Sequence, residues 1–227
     1  VGLKTNKFNS QIISQIKLIE PNIQLRLNEV SIKLEPLSFG INAKTIGTDL
    51  LYKNKIIKIE KIKSKISIKS LLNNKFLFED ISISTKSIAI KDLITLIRLF
   101  NNDPKLFIAE KLIKKGYVVA NLKLEFDQKG KIKKNYKFNG LVKDGKIDFF
   151  KKYDLNKLDL NFEINEKELK FKNIQLLLNK SNIVIPELVA LNQNKGYLIS
   201  GNLITNNTGF NKTEIEKFIN EDFLEID

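Results

Sequence analysis

Residues 55–100 read KIIKIEKIKSKISIKSLLNNKFLFEDISISTKSIAIKDLITLIRLF. Apolar side chains recur at every second position, in Ile57 and Ile59, Ile66 and Ile68, Phe76 and Phe78, Ile81 and Ile83, and Ile88 and Ile90, with Lys, Ser, Asp or Thr between most of them. A β-strand turns successive side chains to opposite faces, so this spacing predicts strands with one buried and one wet face. Between them, Ser70-Leu71-Leu72-Asn73-Asn74 is a short apolar hook followed by a turn.

On the N-terminal side, Phe8, Ile12, Ile13 and Ile16 fall at helical spacing and Pro21 stops the pattern, which predicts an amphipathic helix over about residues 5–18. The period then changes to two, in Ile23, Leu25 and Leu27 and, after a slip at Asn28-Glu29, in Val30, Ile32 and Leu34. Beyond Pro36, further strands are expected around 39–46 and 50–59. On the C-terminal side, the alternation lapses near Lys91, where Leu93, Ile94, Ile97 and Leu99-Phe100 suit a helix. Asp103 as N-cap and Pro104 at the first helical position open a second one, with Leu106, Ala109, Leu112 and Ile113 along one side and Gly116 just past its end.

After Gly116 the alternation resumes in Val118, Ala120, Leu122, Leu124 and Phe126, then in Leu158, Leu160, Phe162 and Ile164, in Ile174, Leu176 and Leu178, and in Ile183 and Ile185. Turns are expected at Asp127–Gly130, Asp144-Gly145, Asn165–Lys167 and Asn192–Gly196. The order reads as an antiparallel meander. Thr213-Glu214-Ile215-Glu216 fits a capping box, with Ile215, Phe218 and Ile219 on one side of a last helix. The chain is therefore expected to be mainly β, with an N-terminal helix, a central helix pair over about 92–115 and a short C-terminal helix.

The chain has 227 residues and is 42% hydrophobic, enough for a sizeable core. It contains no Cys and no His, which removes thiolate nucleophiles, imidazole bases and the common zinc sites. No enzymatic activity, metal or cofactor is expected. With no initiating Met and no apolar run of the roughly 20 residues that a membrane span needs, it reads as a piece of a longer protein.

The net charge of +13 comes from 39 basic and 26 acidic residues. Charge of that size suits an anionic partner, phosphate backbone or acidic lipid head groups. Only Arg26 and Arg98 are arginine, whereas nucleic-acid readers lean on its bidentate fork. Ile, Lys and Asn dominate throughout, as an AT-rich genome tends to produce, and that bias accounts for the charge equally well.

Gly140-Leu141-Val142-Lys143-Asp144-Gly145-Lys146 matches G-x-x-x-x-G-K, but a phosphate-binding loop needs Ser or Thr next and must open a helix. Ile147 follows instead, and Ile147-Asp148-Phe149-Phe150 continues as strand, so Asp144-Gly145 reads as a tight hairpin turn. Glu79-Asp80, Asp144 with Asp148, and Glu166 with Glu168 read as solvated surface charge. Asn-x-Ser/Thr sequons at Asn179, Asn206 and Asn211 are expected by chance in so Asn-rich a chain.

A lysine-rich strand ending in Ser70-Leu71-Leu72, a turn, then one I-x-I strand running into another resembles the start of the AsmA-like family. That is the TamB-type family of the bacterial envelope, related to the chorein-type bridge lipid-transfer proteins. A helix followed by a strand meander is also the order of its chorein-like start; the likeness covers residues 1–100, and the rest follows only in style. The resemblance implies an elongated antiparallel β-groove, a curved open sheet whose apolar side carries acyl chains. It implies a helix plus first groove segment over 1–90, a helical insertion over 91–116 and a second antiparallel segment over 117–227.

The expected lining is Ile66, Ile68, Ile81, Ile83, Leu122, Leu124, Leu158, Leu160, Phe162, Leu176 and Leu178. The implied function is non-enzymatic transfer of glycerophospholipid in the periplasm, by a protein held to the inner membrane through an anchor outside this chain. Alternatives are a periplasmic scaffold assisting outer-membrane protein assembly through exposed sheet edges and, further off, a basic nucleic-acid-binding domain; no nucleic acid is expected as partner. On periodicity alone, a closed sandwich with an ordinary core remains open.

Overall fold

The computed structural model describes residues 3–6, 9–19, 21–35, 40–52, 55–72, 77–98, 104–149, 153–178, 181–193 and 196–205. Strand β1 (Leu3–Thr5) and helix α1 (Asn9–Ile19) lead into strands β2 (Gln24–Arg26), β3 (Val30–Glu35), β4 (Gly40–Ile46), β5 (Asp49–Tyr52) and β6 (Lys55–Ser67). Helix α2 (Ile68–Leu72), strands β7 (Phe78–Thr85) and β8 (Ile88–Ala89), and helices α3 (Ile90–Ile97) and α4 (Pro104–Leu112) follow. The remainder is strand: β9 (Ile113–Glu125), β10 (Lys137–Phe149), β11 (Tyr153–Ile164), β12 (Glu168–Leu178), β13 (Ser181–Gln193), β14 (Gly196–Gly201) and β15 (Ile204–Thr205). Phe8, Phe76, Leu99-Phe100, the Asp103 cap, and the capping box with its C-terminal helix lie outside the described residues.

The described strands form one antiparallel sheet in the order β1-β3-β4-β6-β7-β9-β10-β11-β12-β13-β14. It is open, and its two ends do not pair with each other. β2 and β5 branch from the first residues of β6, and β15 adds to the edge of β13 beside β14. Because β7 pairs directly with β9, the two central helices interrupt the chain without dividing the sheet. Arg98 ties them together through a 2.6 Å ion pair with Glu110.

Apolar parity holds the strands in register, and bulges correct it where the sequence slips. In β6, Ile57 and Ile59 occupy odd positions, whereas Ile62, Ser64 and Ile66 occupy even ones, and the ladder with β7 shifts between Ile59 and Lys61. The extra residue lets both sets point into the core. Three further bulges lie in β10, β11 and β12, where Asp144 (φ 52°), Lys157 (φ 50°) and Asn173 (φ 53°) adopt left-handed backbone. Such residues cost about 1 kcal/mol or more each. Across each of them the apolar positions change parity, from Val142 to Gly145, from Leu158 to Leu155 and from Phe171 to Ile174, so the hydrocarbon stays on one side.

Two local expectations are corrected here. Asp144-Gly145 is no hairpin turn, since β10 runs straight through it as a bulged strand. Gly116 does not stop a helix: α4 ends at Leu112, and Ile113 and Gly116 belong to β9. At φ +135°, a Cβ on Gly116 would sit 2.5 Å from Ile90 Cδ1 and 2.9 Å from Gly145 Cα. Glycine there permits the close approach of β9 and β10 next to the bulge.

The core lies under the first half of the sheet. Ile12 of α1, Leu25 of β2, Leu50 of β5, and Leu93 and Leu96 of α3 join one buried cluster with Val30, Ile59, Ile66, Ile81, Val118 and Leu124 of the sheet. Beyond the line of bulges, Leu155, Leu178 and Ile183 form a smaller cluster with Ile147, Leu158, Leu176 and Ile185 packed against it.

Candidate apolar binding face

In an antiparallel ladder, directly opposed residues point to the same side, so register alone identifies rows across the sheet. One row runs Val30, Thr45, Ile62, Ile83, Leu122, Phe138, Ile164, Leu169, Ala190, Ile199 without a charged residue. It crosses ten strands (β3, β4, β6, β7 and β9–β14), or nine spacings of about 4.8 Å, and is roughly 43 Å long. A parallel row runs Ala120, Gly140, Phe162, Phe171, Leu188, Gly201. Gly140 leaves room for the Phe162 ring, whose Cζ lies 2.8 Å from where a Cβ would stand. Phe162 also meets Phe138 with ring centroids 4.9 Å apart.

Exposure rises along the first row. Val30 is 1% exposed, the members from Ile83 to Ala190 are partly buried, and Ile199 is 54% exposed. At the start of the row the roof of α1, β2 and β5 leaves a cavity of about 50 Å³, lined by residues that include Ile12, Leu25, Leu50, Ile62, Ile81 and Leu124. That is space for only a few water-sized molecules. The helices pack against β2, β6, β8, β9 and β10, and the strands from β11 onward meet mainly their neighbours in the sheet.

The expected lining residues divide between these environments. Ile66, Ile81 and Leu124 are buried in the roofed core, and Ile83 packs against it. Leu122, Leu160 and Phe162 face the same side further along, with Phe162 buried and the other two partly buried. Leu158, Leu176 and Leu178 belong to the smaller cluster past the bulges. Ile68 is in no strand: it opens α2, because Ser67 ends the ladder by accepting from Ser70 Oγ at its carbonyl (2.8 Å) and from Ser70 N at its hydroxyl (3.4 Å).

Phe138, Leu169, Phe171, Leu188 and Ala190 also stand on the face and were not among the expected residues. Leu169 and Phe171 carry a readable alternation, but the bulge at Asn173 puts them out of phase with Ile174 and Leu176. Leu188-Val189-Ala190 has no alternation to read.

The opposite face is mainly polar, though Val119, Leu141, Val189, Leu191 and Leu198 also stand on it, and in the later strands some of its charges pair across the ladder. Lys172 pairs with Glu163 at 2.8 Å and Lys170 with Glu187 at 3.0 Å. The Lys172 hydrogen bond holds the Glu163 carboxyl below its usual range, and Glu187 lifts the Lys170 ammonium above its own. Burial weakens the Asp159 carboxylate, but Lys143 and the Asp144 N–H outweigh it and leave that carboxyl below its ordinary value. Asp80 is the reverse case: burial lifts its carboxyl in spite of Lys123 and Lys65 nearby. These acids are dispersed among lysines, and no cluster of three or more potential metal ligands exists among the described residues.

No helix among the described residues is long and apolar enough to cross a membrane. Searches against family models, curated proteins and solved structures find no match to this chain, so the resemblance to the AsmA-like family rests on the residues that suggested it.

Proposed function

We propose that the sheet from β9 to β13 carries the acyl chains of glycerophospholipid along its apolar side, as a non-enzymatic transfer element. The observation that carries this reading is the row from Val30 to Ile199, which bears no charge along its length while its cover thins. Each methylene kept from water is worth about 0.8 kcal/mol, so a diacyl lipid with some thirty of them forfeits roughly 24 kcal/mol if it crosses water bare. From β9 to β13 the row crosses four strand spacings, roughly 19 Å, a little more than one acyl chain at about 15 Å, half of a bilayer's hydrocarbon core, and offsets much of that cost. The roofed end offers no comparable space, so the guest side chains are Leu122, Phe138, Leu160, Ile164, Leu169 and Phe171. In this proposal the chain is part of an AsmA-like protein of the bacterial periplasm, held to the inner membrane by an anchor outside this sequence.

A photo-crosslinking residue at Leu160 or Ile164 is expected to capture phospholipid, identified by mass spectrometry, and the same residue at Asn139 on the opposite face is expected to capture none. Equal recovery from both faces, or none at Leu160, removes the proposal.

A second reading has its own support. β14 is exposed along its whole length, with Tyr197, Leu198 and Ile199 each about half exposed at the sheet edge. Such an edge suits β-augmentation by an extended segment of another chain, as a scaffold for outer-membrane protein assembly would use it. A crosslinker at Ser200 that recovers peptide, with none of the lipid signal at Leu160, favours that alternative.

A further inference from the structure

The connection from β9 to β10 has a defined shape. Asp127 Oδ1 accepts from the backbone N–H groups of Lys129 (2.8 Å) and Lys131 (2.9 Å), Asp127 N donates to the Lys131 carbonyl (2.9 Å), and Lys133 N donates to the Glu125 carbonyl (2.8 Å). Asp127 is therefore occupied with backbone, and Glu125 accepts from Asn135 at 2.6 Å. Lys129, Lys131, Lys133 and Lys134 point into solvent, and among the described residues none of the four forms an ion pair. Two carboxylates stand near the four lysines, Asp127 beside Lys129 and Lys131 and Glu125 beside Lys133, so the loop keeps an excess of positive charge.

Apolar side chains are exposed at the same end. Ile132, between two of the lysines, is 39% exposed and stands opposite Phe126, which puts it on the apolar side of the hairpin. Leu72, at the end of α2, is 80% exposed. α2 lies at the same end because β6 and β7 turn back there beside the end of β9: Phe126 N donates to the Glu79 carbonyl, and Leu77 Cδ2 lies 3.3 Å from where a Cβ on Gly130 would stand.

We propose that this end of the sheet docks on an anionic bilayer surface, with Lys129, Lys131, Lys133 and Lys134 over the lipid phosphates and Ile132 and Leu72 entering the head-group boundary. Charge complementarity selects the occupant, and the two exposed hydrocarbons favour a lipid interface over a phosphate backbone in water. The docking surface does not depend on lipid carriage by the apolar face. Were both to hold, a leaflet would lie next to the ends of the strands that present that face.

The test is sedimentation of the full chain with vesicles of phosphatidylcholine alone or mixed equally with phosphatidylglycerol, at low and high salt. The chain is expected to bind the mixed vesicles at low salt, to release in high salt, and to ignore the neutral ones. Replacing the four lysines by Gln (K129Q, K131Q, K133Q and K134Q together) should lower the partition coefficient by a factor of roughly 600, since each lysine near such a surface changes it about fivefold. Four arginines at the same positions should keep it. Ile132→Ser with Leu72→Ser should weaken binding several-fold with the salt dependence intact.

An unchanged partition coefficient in the four-Gln variant overturns the proposal. So does tighter binding to a short DNA duplex than to the mixed vesicles, lost in the same variant. Vesicle binding without lipid capture at Leu160 leaves docking in place and removes carriage; capture with no vesicle binding does the converse.

Discussion

From β3 to β7 the apolar row is roofed by α1, β2, β5 and α3, whereas from β9 to β14 the same row lies on a sheet whose later strands meet chiefly one another. Both regions follow one sequence rule, hydrocarbon at every second position with bulges where the phase slips. What differs is the chain that each can fold back over itself. The first half brings a helix and a pair of short strands, enough to fill its hollow to within about 50 Å³. The second half is nearly all ladder and keeps its hydrocarbon only partly covered. One amphipathic pattern thus serves as a closed core or as an accessible surface, according to what is connected to it.

The sharpest way to break the comparison is to cut an equivalent side chain from each half. Ile59, 1% exposed under the roof, is expected to cost about 3–4 kcal/mol on replacement by Ala, because the cavity it leaves is walled on every side. Leu160→Ala, on the partly covered face, is expected to cost about 1–2 kcal/mol, since water already reaches part of what is lost. Urea unfolding of the two variants measures the difference. Equal losses show that the two halves are covered alike.

Next in size is Gly116→Ala. Its Cβ meets Gly145 backbone at 2.9 Å, which cannot swing aside as a side-chain end can, and the +135° φ is strained for any other residue. A loss of about 2–3 kcal/mol is expected in the same assay. A neutral result shows that β9 and β10 separate easily there, and that the bulged crease is not a fixed part of the open half.

The strand content and the buried side of most strands were legible because burial on one face forces a period of two, as in Val118 to Phe126. What failed depends on partners distant in sequence. Leu112, Ile113 and Gly116 satisfy a helix end locally, but Ile113 pairs with Ile147 and Val118 with Val142, and those ladders claim the chain from Ile113 onward. The bulge at Asp144 reads as a turn because a left-handed residue followed by Gly serves either purpose; Asp159, accepting from Asp144 N at 2.9 Å, decides for the bulge. The face itself was legible in part. Register brought Leu122 and Leu160 onto it as alternation suggests, while Ile66, Ile81, Leu124 and Phe162 went to the core, because nothing in their own strands encodes the roof above them.

Asp159 supplies the next test, within the open half. Asp159→Ala leaves the Asp144 N–H and Lys143 without their acceptor, for an expected loss of about 1 kcal/mol, reduced by solvent at so exposed a pair. The carboxyl is held below its ordinary value when folded, so its contribution is complete above the unfolded value of about 3.9 and fades as pH falls through the lower folded one. Variant and parent should therefore converge in strong acid. A gap that persists there assigns the loss to packing instead of charge.

The smallest effect belongs to Asp80, on β7 where the roofed half gives way to the open one, opposite both Lys65 and Glu125. Burial, its largest influence, lifts its carboxyl; Lys123 and Lys65 pull it down, and Glu125 and Glu79 push it up again. A raised folded value means that the ionised form is penalised in the fold. The penalty is complete above the folded value and relieved as pH falls toward the unfolded one. At neutral pH, Asp80→Asn is therefore expected to leave stability unchanged or raise it by a few tenths of a kcal/mol, because solvent screens a side chain this exposed. On mild acidification the parent should gain on the variant, and the difference in Tm across that range measures it. A variant less stable than the parent at neutral pH would mean that Lys65 and Lys123 attract Asp80 more than burial penalises it, and that ion pairs, not hydrocarbon alone, hold the junction between the two halves.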